Sequence, residues 1–135
     1  EELVFRGYLL QQLAARTPAP WAWMGLPSLL FGALHYAPET YGPMALWPVV
    51  WAVLFGCLAA DLTARTGNLG GALALHFANN LSAIFLVGLY GDLDGLALYT
   101  VVINPRDPAM LLPYLATDAA MIIVSWLAAR LILRV

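Results

Sequence analysis

Three long stretches of this chain are apolar and nearly free of charge, and they limit the folds that it can adopt. The run from Pro43 to Ala60 contains no charged residue, and the stretches from Leu69 to Tyr90 and from Pro108 to Val135 are similarly apolar. A helix needs about 20 predominantly apolar residues to cross the hydrocarbon core of a bilayer. Each stretch is close to that length or longer, so the sequence predicts membrane-spanning helices.

The composition of the chain supports a membrane protein and excludes nucleic acid as a partner. Of the 135 residues, 62% are hydrophobic and 10% are charged, whereas soluble domains are roughly 45–50% apolar and about 25% charged. A soluble domain of this size could not cover so much apolar surface. All six cations are scattered arginines and the net charge is −2, so the chain lacks a basic footprint for DNA or RNA.

Prolines and turn residues divide the chain into five apolar segments. The first is expected to end at Pro18 and Pro20, and the second should bend at Pro27. We predict an all-α fold, a polytopic transmembrane helix bundle of about four to five helices that forms a single domain over residues 1–135. Because the chain begins on a charged pair without a signal sequence, we expect further helices to precede it in a longer protein. The five segments are Glu1–Arg16, Trp21–Tyr36, Pro43–Ala60, Leu69–Tyr90 and Pro108–Val135.

The arginines predict an orientation for this bundle. If the second to fifth segments each cross the membrane, four arginines fall on one side, namely Arg16, Arg65, Arg130 and Arg134. The other side then carries Arg106 together with Glu39, Asp92, Asp94 and Asp107. Cytoplasmic loops carry an excess of arginine and lysine. The side with four arginines is therefore predicted to be cytoplasmic.

The first segment opens with two acids and a base, which are costly inside a bilayer unless they are paired or face a polar cavity. Glu2 and Arg6 are four residues apart, so they share a helical face and can form an ion pair. Glu1 is turned away from Arg6 and stays available. The alternative is a solvated helix start, with its acids favourably placed at the positive end of the helix dipole.

Two further segments carry polar side chains among apolar residues. His35 ends the second segment, and His76 and Asn80 share one face of the fourth because they are four residues apart. Counting about 1.5 Å per helical residue from the arginine-rich side places Glu1 and His35 about 21 to 22 Å deep and His76 about 13 Å deep. Side chains from three helices can therefore meet inside a bundle. Taken singly, an intramembrane histidine or asparagine is also explained as a hydrogen bond between helices.

These residues form three motifs in order along the chain: Glu-Glu-x-x-x-Arg at Glu1–Arg6, Phe-x-x-x-His at Phe31–His35 and His-x-x-x-Asn at His76–Asn80. The set resembles the three motifs of the CPBP family of intramembrane proteases, also called Abi. That family includes the type II CAAX prenyl endopeptidases and bacterial proteins linked to bacteriocin processing or self-immunity. The resemblance covers the chain from Glu1 to about Leu81 and implies an integral, multi-pass protein of a prokaryotic plasma membrane.

The resemblance also implies a hydrolytic site. Glu1 would act as a general base that takes a proton from water, and His35 would help to hold that water. His76 and Asn80 would donate hydrogen bonds to the oxyanion that forms when the peptide carbonyl is attacked. Both statements are chemically consistent with the residue types.

Two points about the surroundings of that site follow from the same resemblance. Glu2 with Arg6 would fix the position of the helix and the surroundings of Glu1. We expect no metal and no other cofactor, because the His-Glu-x-x-His pattern of zinc proteases is absent. Zinc bound by Glu1, His35 and His76 is the alternative, since a glutamate and two histidines are suitable zinc ligands.

The favoured function is that of an intramembrane endopeptidase that cuts a membrane-associated peptide, either lipid-modified or a leader. The expected partners are a peptide or membrane-protein substrate and the lipid bilayer. Two alternatives stay open: a transporter or channel in which the glutamate and histidine residues relay protons, and a non-catalytic immunity or scaffold protein. Asn79 is interpreted as a helix-contact residue, and Asp118 is given no role.

Overall fold

The computed structural model describes residues 1–91 and 94–135. Within these residues the chain is mostly helical, which confirms the predicted helical class. A pair of short strands interrupts it, contrary to the all-α prediction. Asp92, which was predicted to lie on the same side as Arg106, falls outside the described residues, as does the side chain of Asp94.

The first half of the chain, up to Thr66, forms four helices. Helix α1 begins as a π-helical segment, Leu3–Leu9, and continues as the α-helical turn Leu10–Ala14. Helix α2 has the same form, with a π-helical segment, Trp21–Gly25, followed by Leu26–Ala33. The short helix α3, Pro38–Tyr41, and a 3-10 turn, Gly42–Met44, lead into the long helix α4, Leu46–Thr66.

The second half contains two helices and the strand pair. Helix α5 spans Gly70–Leu81 and is extended by a π-helical segment, Ser82–Leu86. Strand β1, Val87–Leu89, pairs in parallel with strand β2, Tyr99–Val101, and a 3-10 turn, Asp94–Leu96, lies between them. The last helix, α6, spans Pro108–Leu133.

Residues at the helix ends explain why the elements stop where they do. Pro18 and Pro20 follow α1 and lack the N–H that a continuing helix needs. Gly67 ends α4 in the left-handed conformation, with φ of 68°, which glycine adopts without steric penalty. Asp107 caps α6, because its side chain accepts a hydrogen bond from the backbone N–H of Ala109.

Helices α2 and α4 pack closely because small residues lie at their contact. A Cβ on Gly56 of α4 would stand 2.9 Å from the Cβ of Ser28 on α2, so the two helices can approach only where glycine is present. Beside this contact the core contains Phe5, Phe31 and Phe55, which come from α1, α2 and α4 respectively. This aromatic core is what holds the first motif against the second.

Within the part of the chain that the structure describes, the helices α4 and α6 are long and apolar enough to cross a membrane, judged by length and composition. Within the most apolar part of α4, 44% of the residues are buried, whereas in α6 the share is 6%. Helix α6 therefore exposes an apolar surface that suits contact with lipid. The finer prediction of a bundle with four to five crossing helices stays a prediction.

Candidate active site

A buried ion pair lies beneath the candidate site. The Nη1 of Arg6 donates to the Oε1 of Glu2 at 2.9 Å, across one turn of α1, and the side chains are 1% and 3% exposed. Both residues lie on the face of α1 that is turned inward. In so dry a setting the pair is mutually dependent, since removal of either partner leaves an uncompensated charge.

His76 on α5 joins both glutamates of α1. Its Nδ1 lies 2.7 Å from the Oε1 of Glu2, and its Nε2 lies 3.6 Å from the Oε2 of Glu1. A carboxylate accepts hydrogen bonds, so in this contact Nδ1 carries a proton and donates a hydrogen bond to Glu2. The Glu2 contact therefore fixes the ring orientation and directs Nε2 towards Glu1.

Glu1 and Glu2 stand in different environments although they are adjacent in sequence. The side chain of Glu1 is 51% exposed, whereas that of Glu2 is 3% exposed. Glu1 is thus the carboxylate that an incoming water can reach. Glu2 is enclosed by Arg6 and His76, and its Oε2 has no hydrogen-bond partner among the described residues.

Phe31 is the centre around which the site is packed. Its ring meets the His35 ring at 4.9 Å between centroids and the His76 ring edge-on at 6.1 Å. The guanidinium of Arg6 lies 4.6 Å from the Phe31 centroid, and Phe5 packs edge-on against the same ring at 5.4 Å. One aromatic side chain therefore contacts residues from all three motifs.

His35 is held in one tautomer by its own helix. Its Nδ1 lies 3.0 Å from the backbone oxygen of Phe31, one turn earlier. A carbonyl oxygen only accepts, so Nδ1 carries a proton that it donates. In the neutral ring, Nε2 is then left with a lone pair that can accept a hydrogen bond from water.

Among the described residues, His35 is linked to the other predicted site residues only through the Phe31 ring, and Asn80 has no hydrogen bond, ion pair or ring contact with them. Asn80 is exposed, one turn beyond His76 on α5, and its side chain makes no hydrogen bond to the described residues. The shared face that the spacing predicted is present, because His76 and Asn80 both belong to α5. The position leaves the amide free to meet a bound substrate.

The arrangement of the donor atoms decides whether a metal ion fits this site. Within residues 1–91 and 94–135, no three His, Cys, Asp or Glu side chains form a group that could hold a metal ion. The alternative zinc ligands Glu1, His35 and His76 therefore do not form such a group in this arrangement. A reaction that needs no metal stays a prediction.

Sequence reasoning missed two features of this site. Glu2 was assigned to Arg6 alone, yet it also binds His76, and this contact spans 74 residues of sequence. Phe31 was seen as part of a motif but not as the residue that packs against the other two motifs. A helical spacing rule reports neighbours on one helix, so it carries no signal for either contact.

The fold and the site together define a class: a helical protein with apolar helices of membrane-spanning length, and a buried Glu-Arg-His cluster beside an accessible glutamate. A comparison with known families then identifies the family within this class of protein. Residues 1–82 match the family described as Type II CAAX prenyl endopeptidase Rce1-like. The chain belongs to this family, a membrane-embedded family of proteases, and the predicted resemblance is confirmed.

One curated relative is considerably longer than this chain. The chain is 29% identical over 119 residues to the uncharacterized protein YyaK of Bacillus subtilis (strain 168), covering 77% of this chain and 40% of that protein. The chain thus spans about two fifths of the length of this relative. No solved structure matches the chain significantly.

Proposed function

We propose that this chain carries the catalytic site of an intramembrane endopeptidase, which hydrolyses a peptide bond near the end of a membrane-associated peptide by means of water activated by Glu1. The observation that carries the proposal is the meeting of α1 and α5, where His76 stands between an enclosed and an accessible glutamate. The family assignment supports the same reaction class.

The first half of the proposed reaction uses Glu1 and His35. The carboxylate of Glu1 takes a proton from water while the water oxygen attacks the carbonyl carbon of the substrate. His35 offers its Nε2 lone pair to the second water hydrogen, because its Nδ1–H is already donated to the Phe31 carbonyl. The water is thereby oriented by two acceptors at once.

The second half needs donors for the negative charge that develops on the carbonyl oxygen. His76 supplies Nε2 and Asn80 supplies its amide N–H. Since Nδ1 of His76 is committed to Glu2, the ring acts as a donor at Nε2 only when both of its nitrogens carry protons. The C–N bond then breaks, and the proton held by Glu1 passes to the leaving amine.

The proposed setting is a multi-pass protein of a prokaryotic plasma membrane, in which α4 and α6 cross the bilayer. The substrate class follows from that setting and from the family: a peptide held at the membrane, either prenylated at a CAAX-type end or a leader. Hydrolysis by Glu1 with no metal is part of the proposal.

The proposal is tested with the full-length protein in phospholipid vesicles. A farnesylated CAAX peptide and an unmodified leader-type peptide are offered, and products are identified by mass spectrometry. We expect cleavage of one of them, and we expect His35→Ala and His76→Ala to lower the rate by about 10²–10⁴-fold. Proton flux is recorded in the same vesicles, and flux that these variants abolish in the absence of cleavage contradicts the proposal.

Metal dependence is tested separately on the same preparation. The reaction is run with and without a strong chelator, and zinc is then added back. The proposal predicts an unchanged rate throughout. Loss of activity with chelator and recovery with zinc would show that the glutamate and histidine side chains serve a metal.

A further inference from the structure

A cavity of about 360 Å³ lies between α5 and α6. Its lining on α5 follows the helical pattern from Leu75 to Ala83, and its lining on α6 follows the same pattern from Tyr114 to Ser125. The volume falls at the lower end of the range of ligand sites, about 300–1,000 Å³. It suits a single side chain or a small amphiphile.

The cavity places hydrogen-bonding groups inside an otherwise apolar pair of helices. Its polar lining includes Asn79 and Ser82 from α5 and Thr117, Asp118 and Ser125 from α6. Asn79, assigned from sequence to helix contact, lies at this cavity. It comes three residues after His76, so the cavity lies beside the same helix that carries His76 and Asn80.

Asp118 is the acidic residue that lines this cavity, and its carboxyl has no cationic partner among the described residues. It lies in the eleventh position of α6, roughly 15 Å from the start of the helix at 1.5 Å per residue. The indole of Trp51 on α4 lies near this carboxyl, and its buried N–H has no other hydrogen-bond partner among the described residues. An acid within a span is costly unless it is paired.

The cations of the chain are engaged elsewhere. Arg6 pairs with Glu2, Arg65 pairs with Asp61, and Arg16 binds Gln12. Arg106 donates to the backbone oxygens of the α3 loop, and Arg130 donates to the C-terminal residue. Arg134 lies sixteen residues beyond Asp118, about 24 Å along the helix axis. No arginine of the described residues therefore complements Asp118, so a cation that pairs with it would come from a bound peptide or from another part of the protein.

We propose that this cavity binds a basic side chain of the substrate peptide, with Asp118 as the anion that pairs with it and the neighbouring hydroxyl and amide groups as further acceptors. The proposal rests on the proposed function, because it gives the endopeptidase a subsite beside its catalytic helix. A cation brought into an apolar cavity with one carboxylate gains a charge-assisted hydrogen bond. An apolar residue of equal length gains no such bond and leaves Asp118 unpaired.

The test compares two peptides that differ at one position, lysine against norleucine, with the lysine moved one residue at a time on both sides of the scissile bond. The full-length protein in phosphatidylcholine vesicles should prefer lysine at one position by about 10-fold or more in kcat/KM. Asp118→Asn should reduce this preference to within about 2-fold while the norleucine peptide is cleaved at the wild-type rate. Asp118→Glu should keep the preference, and Glu39→Gln is the control for an exposed acid.

A binding measurement separates failure of this subsite from failure of the proposed function. The same peptides carry a photoreactive diazirine, and labelled residues are mapped by mass spectrometry, whether or not the protein cleaves them. The lysine peptide should label α5 and α6 around the cavity, and Asp118→Asn should remove that labelling. Equal labelling by the norleucine peptide, labelling elsewhere, or another part of the full-length protein filling the cavity would each overturn the proposal.

Discussion

Replacing Arg6 with methionine measures how strongly the stability of the protein depends on the ion pair between Arg6 and Glu2. Methionine keeps much of the side-chain volume but removes the charge that compensates Glu2, which is 3% exposed. Breaking a buried pair by removing one partner costs about 3–5 kcal/mol. Loss of the contact between Arg6 and the Phe31 ring, at 4.6 Å, adds about 1–2 kcal/mol.

The chain offers a matched control for this substitution. Arg65 and Asp61 form an ion pair with the same four-residue spacing, but the Arg65 side chain is 44% exposed. Arg65→Met should therefore cost no more than about 1 kcal/mol. The free energy of unfolding is measured for each variant of the full-length protein by titration with SDS in mixed micelles, followed by far-ultraviolet circular dichroism.

A double variant completes the cycle. Glu2→Gln with Arg6→Met removes both charges, so it should be more stable than Arg6→Met alone, with a coupling of roughly 1–3 kcal/mol. The amide oxygen of the glutamine can still accept from His76. Two results would contradict a buried, mutually dependent ion pair. The first is a loss of free energy of unfolding for Arg6→Met no larger than for Arg65→Met, and the second is simple additivity of the effects of Glu2→Gln and Arg6→Met.

Two further substitutions test the helix contacts that position the site. Gly56→Ala should destabilise the protein by about 1–3 kcal/mol, because the new Cβ would meet the α2 backbone at 3.1 Å, whereas Gly25→Ala has open space and should be neutral or stabilising. Trp126→Phe removes the 3.0 Å hydrogen bond to Asp61 that joins α6 to α4, and should cost about 0.5–1.5 kcal/mol. Trp21→Phe is its control, since Trp21 is 71% exposed. Thermal unfolding in detergent reads out all four, and equal effects within either pair would contradict the packing described.

Local signals explain which parts of the fold could be read from the sequence. The prolines after Arg16 set the end of α1, and α6 was predicted from Pro108 onwards, where it begins. The strands were missed because Val87–Leu89 continues an apolar run, and such a run fits a buried strand or a helix equally well. Only pairing with Tyr99–Val101 decides between them.

Some contacts of the candidate site could be predicted from the sequence and others could not. The spacing of Glu2 and Arg6 predicted a pair that is present, and the motif order led to the family that residues 1–82 match. The contact between Glu2 and His76 depends on how α1 and α5 pack, and helical spacing carries no information about that. The roles of Glu1, His35, His76 and Asn80 in hydrolysis stay predictions.

The proposed reaction requires the accessible carboxylate of Glu1 to activate the water. It is tested most directly by single-turnover cleavage of a membrane-bound peptide by the full-length protein, comparing Glu1→Gln with Glu39→Gln, which removes an exposed acid outside the site. We expect Glu1→Gln to lower the rate by about 10²–10⁴-fold and Glu39→Gln to leave it unchanged. Cleavage by Glu1→Gln at the rate of the Glu39→Gln protein would contradict it.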